Sequence, residues 1–164
     1  MDSDHKNILY IERAKNELNL AKAIFKLSTN QKLKLEFELK EDSTFFSNVI
    51  GASYYCVFYS AKVLLYTKGV ITESPEEHKK TFEEFEKLVL SGEMDVELLK
   101  IYKSAMVKAD ELLGIFKEEK SKRARFTYKT LPQANLEPAD ESLKNAEIFL
   151  KNINLIINKE EGNV

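Results

Sequence analysis

The chain has few of the residues that interrupt helices, because only 5 glycines and 3 prolines occur among its 164 residues. These two residue types supply most tight turns, so their scarcity predicts long helices joined by short connections. The chain also has one cysteine, Cys56, which excludes an intramolecular disulfide. A chain without disulfides is typical of a reducing cytoplasm, and we expect Cys56 to be a small buried apolar residue.

The net charge is small, and the sequence lacks the common catalytic motifs. The formal net charge of -2 gives no general attraction to polyanions, so binding of nucleic acid would need a local basic patch. There is no HExxH motif, no Cys/His spacing typical of a metal site, no GxSxG motif and no phosphate-binding glycine loop. We therefore expect no metal and no cofactor. Residues 1–6 lack the cationic start and apolar core of a secretory signal, which predicts a cytoplasmic protein.

One stretch, from Phe45 to Gly69, is far more apolar than the rest of the chain. As a helix it would carry two apolar stripes and almost no polar face, which is typical of a helix at the centre of a bundle or across a subunit interface. A membrane span is the competing interpretation. Lys62 in the middle, tyrosines spread along the stretch and the lack of a second long apolar run favour the central helix.

The same stretch carries a recognisable pattern between Ala52 and Gly69. It contains the pair Tyr54-Tyr55, Phe58 three residues later, an Ala-Lys step, paired leucines and a terminal glycine. In these features it resembles the second helix of the HEPN family, small helical-bundle proteins of prokaryotes. The resemblance implies an all-α bundle and a homodimer with two-fold symmetry.

The other segments predict further helices over residues 7–27, 75–90, 95–120 and 139–158, with a disordered tail over 159–164. Ser74 and Pro75 read as the N-cap and first residue of the third helix, and Asp95 as the N-cap of the fourth. Val96 is expected to face inward on that fourth helix. His78, near the start of the third helix, is expected to be exposed.

Residues 32–40 alternate strictly between charged and apolar side chains, in a connection that is usually short in HEPN proteins. This period of two favours a strand or extended chain, with residues 125–131 as its partner. A helix would instead pair Lys32 with Glu36 and Lys34 with Glu38. We therefore predict a single domain over residues 1–164, an all-α up-and-down bundle of about five helices with a short β ribbon near residues 32–40.

The segment 120–129 is the strongest candidate for a binding site. It contains no acid, and it holds two of the three arginines of the chain together with interleaved aromatic residues: Lys120, Lys122, Arg123, Arg125, Phe126, Tyr128 and Lys129. Arginine recognises phosphate through two parallel hydrogen bonds, and an aromatic ring beside such cations can stack on a base. The alternative is that these cations only complement the dipole of a helix C-terminus.

The HEPN resemblance bears on this segment, because family members that cut RNA carry an arginine followed four to six residues later by a histidine. Arg123 matches the arginine, but Tyr128 stands at the histidine position, and no histidine follows His78. RNA cleavage without a metal needs a group that exchanges a proton near neutral pH, which histidine does and an unshifted tyrosine does not. Arg123 and Tyr128 are therefore candidates for catalysis only if the tyrosine replaces histidine.

Three functions follow from these observations. The first is a HEPN-like protein that binds a nucleotide or RNA through Lys122, Arg123, Arg125 and Tyr128, has no RNase activity, and does not enter a membrane. The resemblance implies a minimal nucleotidyltransferase as its partner in a toxin–antitoxin or defence system. The second is an active metal-independent endoribonuclease toxin, and the third is a structural adaptor.

Overall fold

The computed structural model describes residues 3–113 and 135–161, and six helices form within these two ranges. They are α1 (Ser3–Thr29), α2 (Gln31–Glu36), α3 (Phe46–Thr67), α4 (Glu77–Leu90), α5 (Val96–Leu113) and α6 (Leu136–Glu161). No strand occurs in the described ranges. The predicted all-α helical bundle is confirmed.

Helix α3 lies at the centre of the bundle, as its all-round apolar character predicts. It packs against α1, α4, α5 and α6, and sixteen of its 22 residues are buried. Among the described helices α3 alone is long and apolar enough to cross a membrane, and 83% of its apolar window is covered by the bundle. Cys56 on this helix is fully buried and unpaired, as expected.

The contacts of α3 fix the directions of its neighbours. Phe25 of α1 packs against Phe46 at the start of α3, and Tyr10 of α1 packs against Tyr66 at its end, so α1 and α3 are antiparallel. Helix α6 is parallel to α3. Cys56 lies against the carbonyl of Ala146, and Lys68, at the end of α3, pairs with Glu160, fourteen residues further along α6.

Residues 68–76 run back along α3 before α4 begins. His78 near the start of α4 consequently lies beside Tyr54, and Glu93, just after the end of α4, pairs with Lys68. Helix α4 therefore runs in the same direction as α3, which is one departure from simple alternation along the chain. The start of α4 is thereby placed over the middle of the central helix.

The β ribbon predicted near residues 32–40 is wrong, because Gln31–Glu36 forms the short helix α2. The side chain of Asn30 caps this helix by accepting a hydrogen bond from the backbone N–H of Leu33, at 3.1 Å. Lys34 is buried and donates to the carbonyl of Glu41 at 2.8 Å, which closes the following turn. The predicted partner, residues 125–131, lies outside the described residues.

Three further expectations about the helices need correction. Ser74 does not cap α4, because the helix begins at Glu77 and the cap residue, Glu76, has left-handed backbone angles and makes no side-chain hydrogen bond. Val96 is 54% exposed at the start of α5, where we expected it to face inward. Helix α6 continues beyond the predicted end at residue 158, and Glu160 reaches Lys68 from this added turn.

The buried position of Val57, which is 1% exposed, generates a prediction about stability. We expect Val57→Asp to unfold the protein, because burial of an unpaired carboxylate costs several kcal/mol against a total stability of roughly 5–15 kcal/mol. Circular dichroism during heating measures the effect. The matched control is Val96→Asp, where the new carboxylate is exposed at a helix N-terminus and should change the melting temperature little. A cooperative parent-like transition for Val57→Asp would contradict the described core.

Candidate functional site

The residues predicted to bind a ligand, Lys122, Arg123, Arg125 and Tyr128, lie outside the described residues. The remaining arginine, Arg13, is described, and it marks a different surface.

Four tyrosines form a half-buried row on α1 and α3, which we call the tyrosine row: Tyr10, Tyr55, Tyr59 and Tyr66. Tyr55 and Tyr59 are one helical turn apart, and their rings stack with centroids 6.2 Å apart. Tyr10 reaches across from α1 and stacks on Tyr59 at 6.3 Å. The antiparallel pairing of the two helices thus produces a continuous aromatic surface that is partly open to solvent.

Arg13 supplies a positive charge to the tyrosine row. It is exposed on α1, and its guanidinium carbon lies 5.5 Å from the ring centroid of Tyr59. A guanidinium stacked in this way is attracted by the negative face of the ring and keeps its hydrogen-bond donors free for an anion. The row therefore combines ring faces with one cation suited to phosphate.

His78 lies beside the tyrosine row, in a cluster of rings, so the expectation that it is exposed was wrong. It shares a 2.8 Å hydrogen bond with the hydroxyl of Tyr54, and its ring stacks on Phe58 with centroids 4.1 Å apart. Burial lowers the pKa of His78 from its usual range; the carboxylate of Glu77 opposes this shift and the ammonium of Lys62 adds to it. The imidazole is therefore held in its neutral form at pH 7.

Lys62, which is 5% exposed, holds these elements together from beneath. Its ammonium donates to the carbonyl of Thr72 at 2.9 Å and to the carboxylate of Glu77, and it lies 4.7 Å from the ring centroid of Tyr10. One buried cation thus ties the returning residues 68–76, the start of α4 and the tyrosine row to α3. Because its charge is already used, we assign Lys62 a positioning role.

The described residues offer little for catalysis by a metal or a thiol. No group of three or more His, Cys, Asp or Glu side chains within them could hold a metal ion. Burial raises the pKa of Cys56 to about 12, so the thiol stays protonated and is a poor nucleophile.

Comparison of the chain with protein-family models, with curated proteins and with solved structures gave no match. The HEPN resemblance therefore stays a prediction. Sequence reasoning missed the tyrosine row because its members lie on two helices. The signal that could have found it is the spacing of Tyr55, Tyr59 and Tyr66 on one side of α3.

The environment of His78 predicts a pH dependence of stability. Its pKa in the folded protein lies below the unfolded value of about 6.5, so the unfolded chain binds more protons between the two values. The stability contributed by neutral His78 is complete above about pH 6.5 and is lost as the pH falls toward the folded pKa. We expect urea unfolding at pH 7 and pH 5.5 to show a larger loss of stability for the parent than for His78→Gln. Equal losses in the two proteins would contradict a buried neutral imidazole.

Proposed function

We propose that this protein binds a nucleotide or single-stranded RNA, as a homodimer and without RNase activity. The observation that carries the proposal is the tyrosine row with Arg13 stacked on Tyr59. A row of ring faces beside a cation is the arrangement that proteins use to hold single-stranded nucleic acid.

Stacking makes the tyrosine row suitable for bases of any sequence. Each base stacked on an aromatic side chain contributes about 1–3 kcal/mol, because every base has a flat face that a ring can cover. Tyr55 and Tyr59 are only half-buried, so part of each residue is accessible to solvent. The guanidinium of Arg13 supplies the phosphate contact that anchors the backbone beside these rings.

The basic segment 120–129 remains our predicted second contact with phosphate, argued from its sequence. The proposal that cleavage is absent also comes from the sequence, because Tyr128 stands where HEPN nucleases have histidine. The setting implied by the HEPN resemblance is a toxin–antitoxin or defence system, with a minimal nucleotidyltransferase as the partner.

The binding proposal predicts separate effects for a ring and for a cation. We expect Tyr59→Leu to weaken binding of a single-stranded RNA oligomer by about 5-fold to 150-fold, the equivalent of 1–3 kcal/mol, with an unchanged salt dependence. Arg13→Gln, Arg123→Ala and Arg125→Ala should each lower the slope of log affinity against log salt by about 0.7. Fluorescence anisotropy at several salt concentrations measures both quantities, with ATP as a second probe.

The matched control for Arg13 is Lys15→Gln, which removes an exposed cation of the same helix that is paired with Glu12. This variant should bind RNA as the parent does. Cleavage of the oligomer that Arg123→Ala abolishes would instead select the endoribonuclease. No binding of RNA or ATP by the parent would select the structural adaptor.

The homodimer also remains a proposal, but the observation that supports it is no longer the apolar character of α3. The apolar character of α3 no longer requires a second chain, since one bundle covers most of this helix. Support comes from Leu35 and Phe37, which are 76% and 65% exposed at the end of α2. Neighbouring apolar side chains with this exposure are typical of a surface that another protein covers.

Light scattering tests the dimer against the chain mass of 18.9 kDa. We expect the parent to show twice this mass at micromolar concentration, and the double variant Leu35→Lys/Phe37→Lys to show the chain mass alone. Ile71→Lys, at another apolar position that is 60% exposed, serves as the control and should leave the dimer intact. A parent that scatters as a single chain would rule out the dimer.

A further inference from the structure

A groove of about 410 Å³ lies between α1 and α3, next to the tyrosine row. Its volume is within the range of about 300–1,000 Å³ that is usual for small-molecule sites. The side chains that matter for its chemistry are Glu17, Leu20 and Ile24 on α1, and Asn48 and Tyr55, with Gly51, on α3. The groove therefore has apolar sides, one aromatic ring and the polar side chains of Glu17, Ser47 and Asn48.

Gly51 forms part of this groove and has no structural reason to be glycine. Its backbone is helical, and a Cβ atom at this position would meet no atom of the described residues within 4 Å beyond its chain neighbours and its own helix backbone. Glycine inside a helix is destabilising relative to alanine, so the fold itself would favour the larger residue. Gly51 is itself buried, and the space beside it is the part of the groove that a bound molecule would fill.

Glu17 is the charged group of the groove. It is half-buried, and burial raises the pKa of its carboxyl group above the usual range. Of the nearby cations, Lys15 pairs with Glu12 and Lys22 with Glu147, and Arg13 lies over the ring of Tyr59. Within residues 3–113 and 135–161, Glu17 forms no ion pair. A ligand with N–H donors would therefore satisfy this half-buried carboxylate.

We propose that the groove binds a guanine base, with Glu17 accepting hydrogen bonds from the base and the ring of Tyr55 beside its flat face. This inference rests on the proposed function and names the base that the protein prefers. Guanine presents two N–H donors side by side on its Watson–Crick edge, at N1 and at the exocyclic N2. These donors match the two oxygens of one carboxylate.

The other bases fit this groove less well. Adenine places an acceptor where guanine has N1–H, and uracil and cytosine each offer one donor beside acceptors on the same edge. An acceptor facing Glu17 would be repelled by the carboxylate. Arg13, one turn before Glu17 on α1, lies on the same side as the tyrosine row and is available to a phosphate attached to the bound nucleoside.

The first test compares GMP with AMP as probes, by isothermal titration calorimetry. The parent should bind GMP about tenfold or more tightly than AMP, in line with the discrimination given by a pair of matched hydrogen bonds. Glu17→Gln should remove this preference, mainly through weaker binding of GMP. Glu12→Gln changes an exposed carboxylate of the same helix and should keep the preference. Equal affinities of the parent for GMP and AMP would overturn the guanine site.

The second test uses Gly51→Ala, for which stability and binding should change in opposite directions. The melting temperature should rise by about 2–4 °C, because alanine favours the helix and its methyl group meets no atom of residues 3–113 and 135–161 outside its own helix. Binding of GMP should weaken, because that methyl group enters the groove. Unchanged GMP binding by the more stable protein would overturn the proposal.

The larger variant Gly51→Leu tests whether the groove is occupied by a second copy of the chain instead of a base. A parent dimer that becomes a single chain in light scattering would place the groove in a subunit interface and overturn the base site. An unchanged mass with lost GMP binding supports the base site. Salt-dependent RNA binding that survives without any GMP preference would refute guanine recognition while leaving the proposed function intact. A parent protein that does not bind RNA at all would instead contradict the proposed function.

Discussion

The structure depends on the need to keep α3 away from water on nearly every side. A helix with apolar residues all round can be stable in a small domain only if several other helices cover it, and α1, α4, α5 and α6 do so. The large buried rings of Tyr54, Tyr102, Phe85 and Phe149 fill the space between these helices. The arrangement leaves one open strip of α3, between α1 and the start of α4, and this strip carries the tyrosine row.

The polar groups buried beside α3 determine where that open strip ends. Lys62 fixes the returning residues 68–76 through Thr72 and fixes α4 through Glu77. The hydroxyls of Thr72 and Thr81 share a 2.7 Å hydrogen bond, which joins the same two segments again. Because a buried polar group is costly without its partners, these contacts specify one position for the start of α4. Tyr54, Phe58 and His78 meet there as a consequence.

The sequence predicted well those features that one helix determines by itself. The central helix was placed to within two residues at each end, and Asp95 does cap α5 through the N–H of Glu97. The strand prediction for residues 32–40 was wrong because a helix of six residues is too short for its apolar period to be distinguished from alternation. The predicted start of α4 was wrong because contacts with Lys62, which is distant in sequence, override the local signal of Ser74 and Pro75.

The candidate site was less predictable than the fold, for a related reason. Arg13 and Tyr59 come together only through the alignment of α1 with α3, and a single sequence contains no direct signal of that alignment. His78 gave no sign of its partners, because its position depends on the path of residues 68–76. Glu17 and Gly51 look ordinary in the sequence, as a charged residue on an amphipathic helix and a glycine in an apolar helix. Only the groove that both of them line identifies them as parts of a candidate site.

The pairing of α6 with α3 has a consequence for the synthesis of the protein. Cys56 and Ala146, which meet in the core, are 90 residues apart. At a translation rate of about 5–20 residues per second, roughly 5–18 seconds separate the appearance of the central helix from that of the residues that cover it. At the start of this interval α1 is the one covering helix already made, and α4 and α5 follow before α6 completes the cover. A chaperone at the ribosome would meet this protein chiefly through the surface that α6 later occupies.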